Sequence, residues 1–128
     1  LEGWIVRLYL QVGDPRVTAS YAMGLAVLSI AGAEELVWRG WVQGALSDAF
    51  GSTRGWLMTT ILYALAHLGT VYMLRDPAAG MNPLVFFAAL GGGFVWGGLA
   101  SRFGRLVPSI VSHAVFSWAV VQYPLWKM

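Results

Sequence analysis

ASYAMGLAVLSIAGAEELVWRG, Ala19 to Gly40, is the stretch whose reading decides the fold. From Ala19 to Ala31 it holds no charge. Then Glu34 and Glu35 stand side by side, and Arg39 follows four residues after the second. A helix crosses a bilayer with ~20 mainly apolar residues, and the segment from about Val17 to Trp38 meets that length. An ionisable group inside such a span costs roughly 2.5–3.5 kcal/mol, so it usually faces a protein interior or a water-filled cavity. The stretch therefore reads as a membrane span that carries carboxylates on purpose.

Working outward, three more segments are long and apolar enough to cross: about Gly55 to Leu74, about Met81 to Ser101 and about Val107 to Trp126. Between the first two lies WVQGALSDAF, Trp41 to Phe50, too short to span, which we expect as an interfacial helix. The other links are short, RDPAAG and RFGR. The composition agrees. Hydrophobic residues make up 58% of the chain and charged ones 11%, with 7 Trp and 16 Gly. A soluble domain carries about 25% charge, and bilayer proteins favour Gly at helix contacts and Trp at interfaces. The expected fold is all-α: a polytopic integral membrane helical bundle with about four spanning helices and a short interfacial helix, in one domain over 1–128.

The net charge of +2 is small and the basic residues do not cluster, so we expect no nucleic-acid partner. Cysteine is absent, which removes disulfides, thiolate nucleophiles and Cys-ligated metal. Residues 1–16 read as an interfacial lead-in. The start at Leu1 rather than Met leads us to expect a piece of a longer chain that carries earlier helices. Basic residues are tied between the two sides: Arg39, Arg54, Arg102 and Arg105 on one, Arg7, Arg16, Arg75 and Lys127 on the other. Orientation is therefore open. The expected location is an integral place in the cell membrane, with a lipid bilayer and a membrane-associated protein or peptide as partners.

Four ionisable groups lie inside the spans. These are Glu34 and Glu35 on the first, His67 on the second and His113 on the fourth. At ~1.5 Å of rise per residue, Glu34 falls about 6–8 Å and His113 about 9 Å below one surface, and His67 about 18 Å. Adjacent helical positions differ by about 100°, so the two glutamates point to different sectors. Glu35 and Arg39, at i and i+4, suit a salt bridge. Two readings of Glu34 stay open: it faces the cavity as a general base, or Glu35–Arg39 is a helix-end ion pair and Glu34 snorkels outward. Ser109 and Ser117 flank His113 at i−4 and i+4, and Tyr63 precedes His67 at i−4.

The same residues allow other chemistries. A serine nucleophile beside His113 lacks the Gly-x-Ser-x-Gly elbow. Two His with one or two Glu form a reasonable zinc set, though not at His-Glu-x-x-His spacing. A Glu/His proton relay would suit a small transporter. The glycines Gly91 to Gly93, Gly97 and Gly98 sit in an apolar helix with no strand before them. They read as close-packing sites rather than a phosphate loop.

Glu34-Glu35-x-x-x-Arg39, Tyr63-x-x-x-His67 and His113-x-x-x-Ser117 resemble the three ordered motifs EExxxR, FxxxH and HxxxN (or D) of the CPBP family. These are the CAAX proteases and bacteriocin-processing enzymes, also called Abi, and they include the type II CAAX prenyl endopeptidases. The resemblance covers roughly Ala31 to Val120. Tyr63 stands for the usual Phe and keeps the ring; Ser117 stands for the usual Asn, with a shorter and differently aimed donor. The resemblance implies a glutamate-dependent intramembrane endopeptidase with no cofactor and no obligatory metal. In it Glu34 deprotonates a water held with His67. His113 and Ser117 stabilise the oxyanion, and Glu35 and Arg39 support the site. The alternative is a non-enzymatic member, a bacteriocin self-immunity or partner-binding protein on the same scaffold.

Overall fold

The computed structural model describes residues 2–12 and 21–122. Among them there is no strand, only an isolated bridge between Asp76 and Gly80. The helices are α1 (Glu2–Val12), α2 (Tyr21–Glu35), α3 (Gln43–Phe50), α4 (Ser52–Ala66), α5 (Leu68–Met73), α6 (Pro83–Phe103) and α7 (Val107–Gln122). A π-helical segment, Leu36–Val42, joins α2 to α3 without a break. Three continuous helices are long and apolar enough to cross a membrane: Tyr21–Phe50, Ser52–Met73 and Pro83–Phe103. Val107–Val121 is a shorter apolar helix. The protein is an all-α membrane bundle. The expected start of the first span at Val17 and end of the fourth at Trp126 lie outside the described residues, as do Arg16 and Lys127.

The first span does not stop at Trp38. It runs on through the π segment to Phe50, so the helix expected at Trp41 to Phe50 is its continuation. Glu34 therefore lies well inside a long helix rather than near its end, which lets it meet the deeper second span. The π segment also sets the facing. Ala31, Glu35, Arg39 and Gln43 are all buried, at a spacing of four. A spacing of four drifts by about 40° per step around an α-helix. The wider i→i+5 turns offset that drift and keep Glu35, Arg39 and Gln43 on one inward stripe.

Packing runs α2 against α7, α7 against α6, α6 against α4 and α4 against α3. Small residues bring these helices close. A Cβ on Gly55 would sit 2.5 Å from the Ser47 backbone nitrogen, and one on Gly97 2.6 Å from the Trp56 ring. Side-chain donors then tie the helices: Trp56 Nε1 to the Phe94 carbonyl (3.0 Å) and Gln43 Nε2 to the Gly97 carbonyl (3.0 Å) and Ser101 Oγ (2.8 Å). Thr59 and Thr60 return their hydroxyls to the carbonyls of Gly55 and Trp56, which satisfies them inside an apolar span. Gly51, at φ +88°, supplies the turn between α3 and α4 that a side chain would strain.

The second span breaks at His67 rather than running straight from Gly55 to Leu74. Its φ of −77° and ψ of −5° end α4, and its amide donates to the Ala64 carbonyl at 3.2 Å before α5 resumes. At the far end of the bundle, Asn82 caps α6 by accepting from the Leu84 amide, with Pro83 at the first helical position. Asn82 Nδ2 also donates to the Trp4 carbonyl, Arg7 pairs with Asp76 at 2.7 Å, and Tyr9 donates to the Val120 carbonyl. Those three contacts fasten α1 to the bundle.

Candidate active site

The two glutamates part company, as their angular offset requires. Glu35 is fully buried on the α7 side; Glu34 retains a side chain 30% exposed. Glu35 Oε1 receives two partners: Arg39 Nη1 at 2.9 Å and His113 Nδ1 at 2.8 Å. A carboxylate has no proton to give, so His113 Nδ1–H is the donor and its Nε2 is turned toward the site. That Nε2 lies 3.9 Å from Glu34 Oε2. The arginine approach is off the N–H axis, since Arg39 Nη1 forms no aligned hydrogen bond. Ion attraction and ring contacts hold it instead. The guanidinium carbon sits 4.3 Å from the Tyr63 ring centroid and 5.6 Å from that of Trp96.

His113 is fixed from a second direction. Its ring stacks on Trp96 with centroids 3.6 Å apart and planes 15° off parallel. The imidazole is thus set by one hydrogen bond and one stacked face. Ser109, which the spacing set beside His113, donates to the Leu106 carbonyl and takes no part.

Tyr63 joins the remaining groups. Its hydroxyl donates to Glu34 Oε2 at 2.7 Å, while its own carbonyl accepts from His67 Nδ1 at 2.8 Å. The carbonyl can only accept, so His67 Nδ1 carries a proton; in the neutral ring Nε2 is then the accepting nitrogen. The two rings of this helix turn pack edge to face with centroids 4.4 Å apart. Tyr63, His67, Trp96, His113 and Ser117 line one cavity of about 580 Å³, whose walls are mostly apolar. Leu8 and Tyr9 of α1 and Val85 of α6 line it as well.

The structure brings Glu34, Glu35, Arg39 and His113 into one cluster and puts His67, His113 and Ser117 on one cavity. Glu34 is not itself in the cavity lining; it reaches the wall through Tyr63 and His113. Two links were missed by sequence reasoning. One is Glu35 to His113, which i,i+4 logic hides because Glu35 already had a partner in Arg39. The other is the Tyr63 hydroxyl. An apolar span that carries a phenol must find it a partner, and that demand was the available signal. Among the described residues no group of three or more His, Cys, Asp or Glu side chains could hold a metal ion.

This arrangement presents a carboxylate behind the wall of an apolar cavity, one imidazole on that wall and a second imidazole whose orientation is locked. Residues 16–119 match the family described as type II CAAX prenyl endopeptidase, Rce1-like. No curated protein and no solved structure matches the chain.

Proposed function

The chain belongs to the Rce1-like family of type II CAAX prenyl endopeptidases, a family of intramembrane proteases, and on that premise we propose that it hydrolyses a peptide bond of a membrane-associated substrate with water activated by Glu34. The observation that carries this reading is the setting of Glu34. Its carboxylate is held by the Tyr63 hydroxyl at 2.7 Å and faces His113 Nε2 at 3.9 Å, beside an apolar cavity that also holds His67.

In this mechanism the Nε2 of neutral His67 accepts a hydrogen bond from a water molecule and Glu34 takes a proton from it. The hydroxide adds to the scissile carbonyl carbon. The oxyanion that forms receives hydrogen bonds from His113, whose ring Glu35 holds through Nδ1, and from the Ser117 hydroxyl. Collapse breaks the C–N bond, and Glu34 returns its proton to the departing amine. Fixed donors aimed at charge as it develops, in a place poor in bulk water, are the main source of rate. Glu35 and Arg39 hold the donor side in place without touching substrate.

The test uses the protein in lipid vesicles with a prenylated peptide ending in a CAAX box, alongside its unprenylated counterpart. Wild type is expected to cleave. Glu34→Gln keeps the shape, removes the proton acceptor and should abolish cleavage with melting in detergent unchanged. Cleavage retained by Glu34→Gln overturns the reading. So does a wild-type activity that chelation abolishes and Zn²⁺ restores.

A further inference from the structure

We propose that Tyr63 is a positioning residue for this reaction: by donating to Oε2 of Glu34 it fixes the carboxylate and leaves Oε1 as the oxygen that takes the proton from water. The inference rests on the hydrolytic reading above and adds to it the identity of the basic atom and of the residue that selects it.

Four observations carry it. The hydroxyl–carboxylate distance is 2.7 Å, a well-formed O–H···O bond at the upper end of the range for a charged acceptor. Tyr63 is only 2% exposed, so its ring does not swing away without opening the core it forms with Ala89 and Trp96. Trp38 and Trp96 meet it edge-on, with centroids 5.5 Å and 6.4 Å away, and the Arg39 guanidinium covers a face. The donor is therefore rigid while its acceptor is partly exposed, so the tyrosine orients the glutamate and not the reverse.

The second carboxylate oxygen is left for chemistry. Oε2 faces both Tyr63 at 2.7 Å and His113 Nε2 at 3.9 Å; among the described residues no hydrogen bond falls on Oε1. The charged and titratable groups around Glu34 are Tyr63 from α4, His113 from α7, and Glu35 and Arg39 from its own helix and the π segment. Of these Tyr63 makes the only hydrogen bond to Glu34 among the described residues. The same residue gives its carbonyl to His67 Nδ1. One residue thereby sets the base through its side chain and the water-holding imidazole through its backbone. The water's two contacts, Glu34 Oε1 and His67 Nε2, are then placed relative to each other by a single turn of α4.

The experiment compares wild type, Tyr63→Phe and Glu34→Gln in vesicles on the prenylated peptide. Phe keeps the ring and its packing and removes the donor. Tyr63→Phe should lower kcat between about ten- and a hundredfold, the scale of a misplaced reacting group, with KM within about twofold and melting temperature nearly unchanged. An infrared difference between wild type and Glu34→Gln isolates the Glu34 carboxylate band, and that band should move in Tyr63→Phe. Wild-type kcat in Tyr63→Phe, or an unmoved Glu34 band, overturns the proposal. So does a loss in which kcat, KM and melting shift together, because that marks packing alone. If Glu34→Gln stays active, the hydrolytic reading fails instead, and the infrared arm still decides the hydrogen bond. Should Tyr63→Phe fail to fold, 3-fluorotyrosine in place of Tyr63 keeps ring and hydroxyl but donates more strongly. The Glu34 band must then shift from the wild-type position, and a band that stays put overturns the proposal.

Discussion

Glu35 serves two partners from one oxygen, Arg39 at 2.9 Å and His113 at 2.8 Å, while being fully buried. Removing one member of a buried ion pair leaves the other uncompensated, at a cost of about 3–5 kcal/mol. Glu35→Gln should therefore lower the unfolding midpoint in detergent markedly. It should also reduce cleavage per folded molecule, because the His113 ring loses its acceptor. Unchanged activity per folded molecule would confine Glu35 to the ion pair. At this scale the sequence was readable where chemistry is local: Glu35 and Arg39 are one helical turn apart, and their pairing followed from spacing. His113 lies on another helix. Its bond to Glu35 depends on how α2 and α7 are rotated against each other, which no spacing within one segment reveals. The Tyr63 hydroxyl was hidden for the same reason, its acceptor being on α2.

Helix contacts follow from glycines rather than from hydrophobic matching. A Cβ at Gly55 would lie 2.5–2.6 Å from backbone atoms of Ser47, so α3 and α4 must separate to admit it. Gly91 meets nothing within 4 Å. Gly55→Ala is expected to destabilise by about 1–3 kcal/mol, as overpacked positions do. Gly91→Ala should be neutral or stabilise by up to ~1 kcal/mol from helix propensity. Thermal melts of the two variants check this, and equal midpoints would contradict the close crossing. The existence of the spans was legible because apolar runs of such length have few other homes. Their breaks were not. The π segment at Leu36–Val42 carries no Pro to announce it, and the turn at His67 sits in an apolar run that reads as unbroken. Extending the first helix to Phe50 also puts Glu34 well inside that helix rather than near its end.

Most large apolar side chains of the spans point outward, Leu25, Ile30, Phe87 and Val111 among them, and the inner layer is narrow. At one end α1 is held by Arg7 on Asp76. The Asp76 carboxyl lies below its usual 3.8 because the amides of Ala79 and Ala78 donate to it, with Arg7 adding charge. A lowered folded value means the carboxylate's contribution is present above pH 3.8 and fades as the pH falls through that lowered value. Amide exchange in α1 should be constant from neutral pH down to 3.8 after correction for intrinsic rates, then rise faster than in α4. Equal change in both helices would remove Asp76 from the anchoring of α1. The inner layer has a wider consequence. The buried core residues Tyr63 and Trp96 also touch Glu34, Arg39 and His113, so one set of side chains both closes the bundle and lines its cavity. Proteins tolerate change when the parts that fold and the parts that react can vary separately, because spare stability absorbs the loss. Here they overlap. In a saturation screen, abundance and activity scores at this layer should fall together, while the lipid-facing rows drift freely among apolar residues. A new substrate preference would evolve most readily from the part of the cavity that α1 lines, where Leu8 and Val85 shape the wall without bearing on the ion pair.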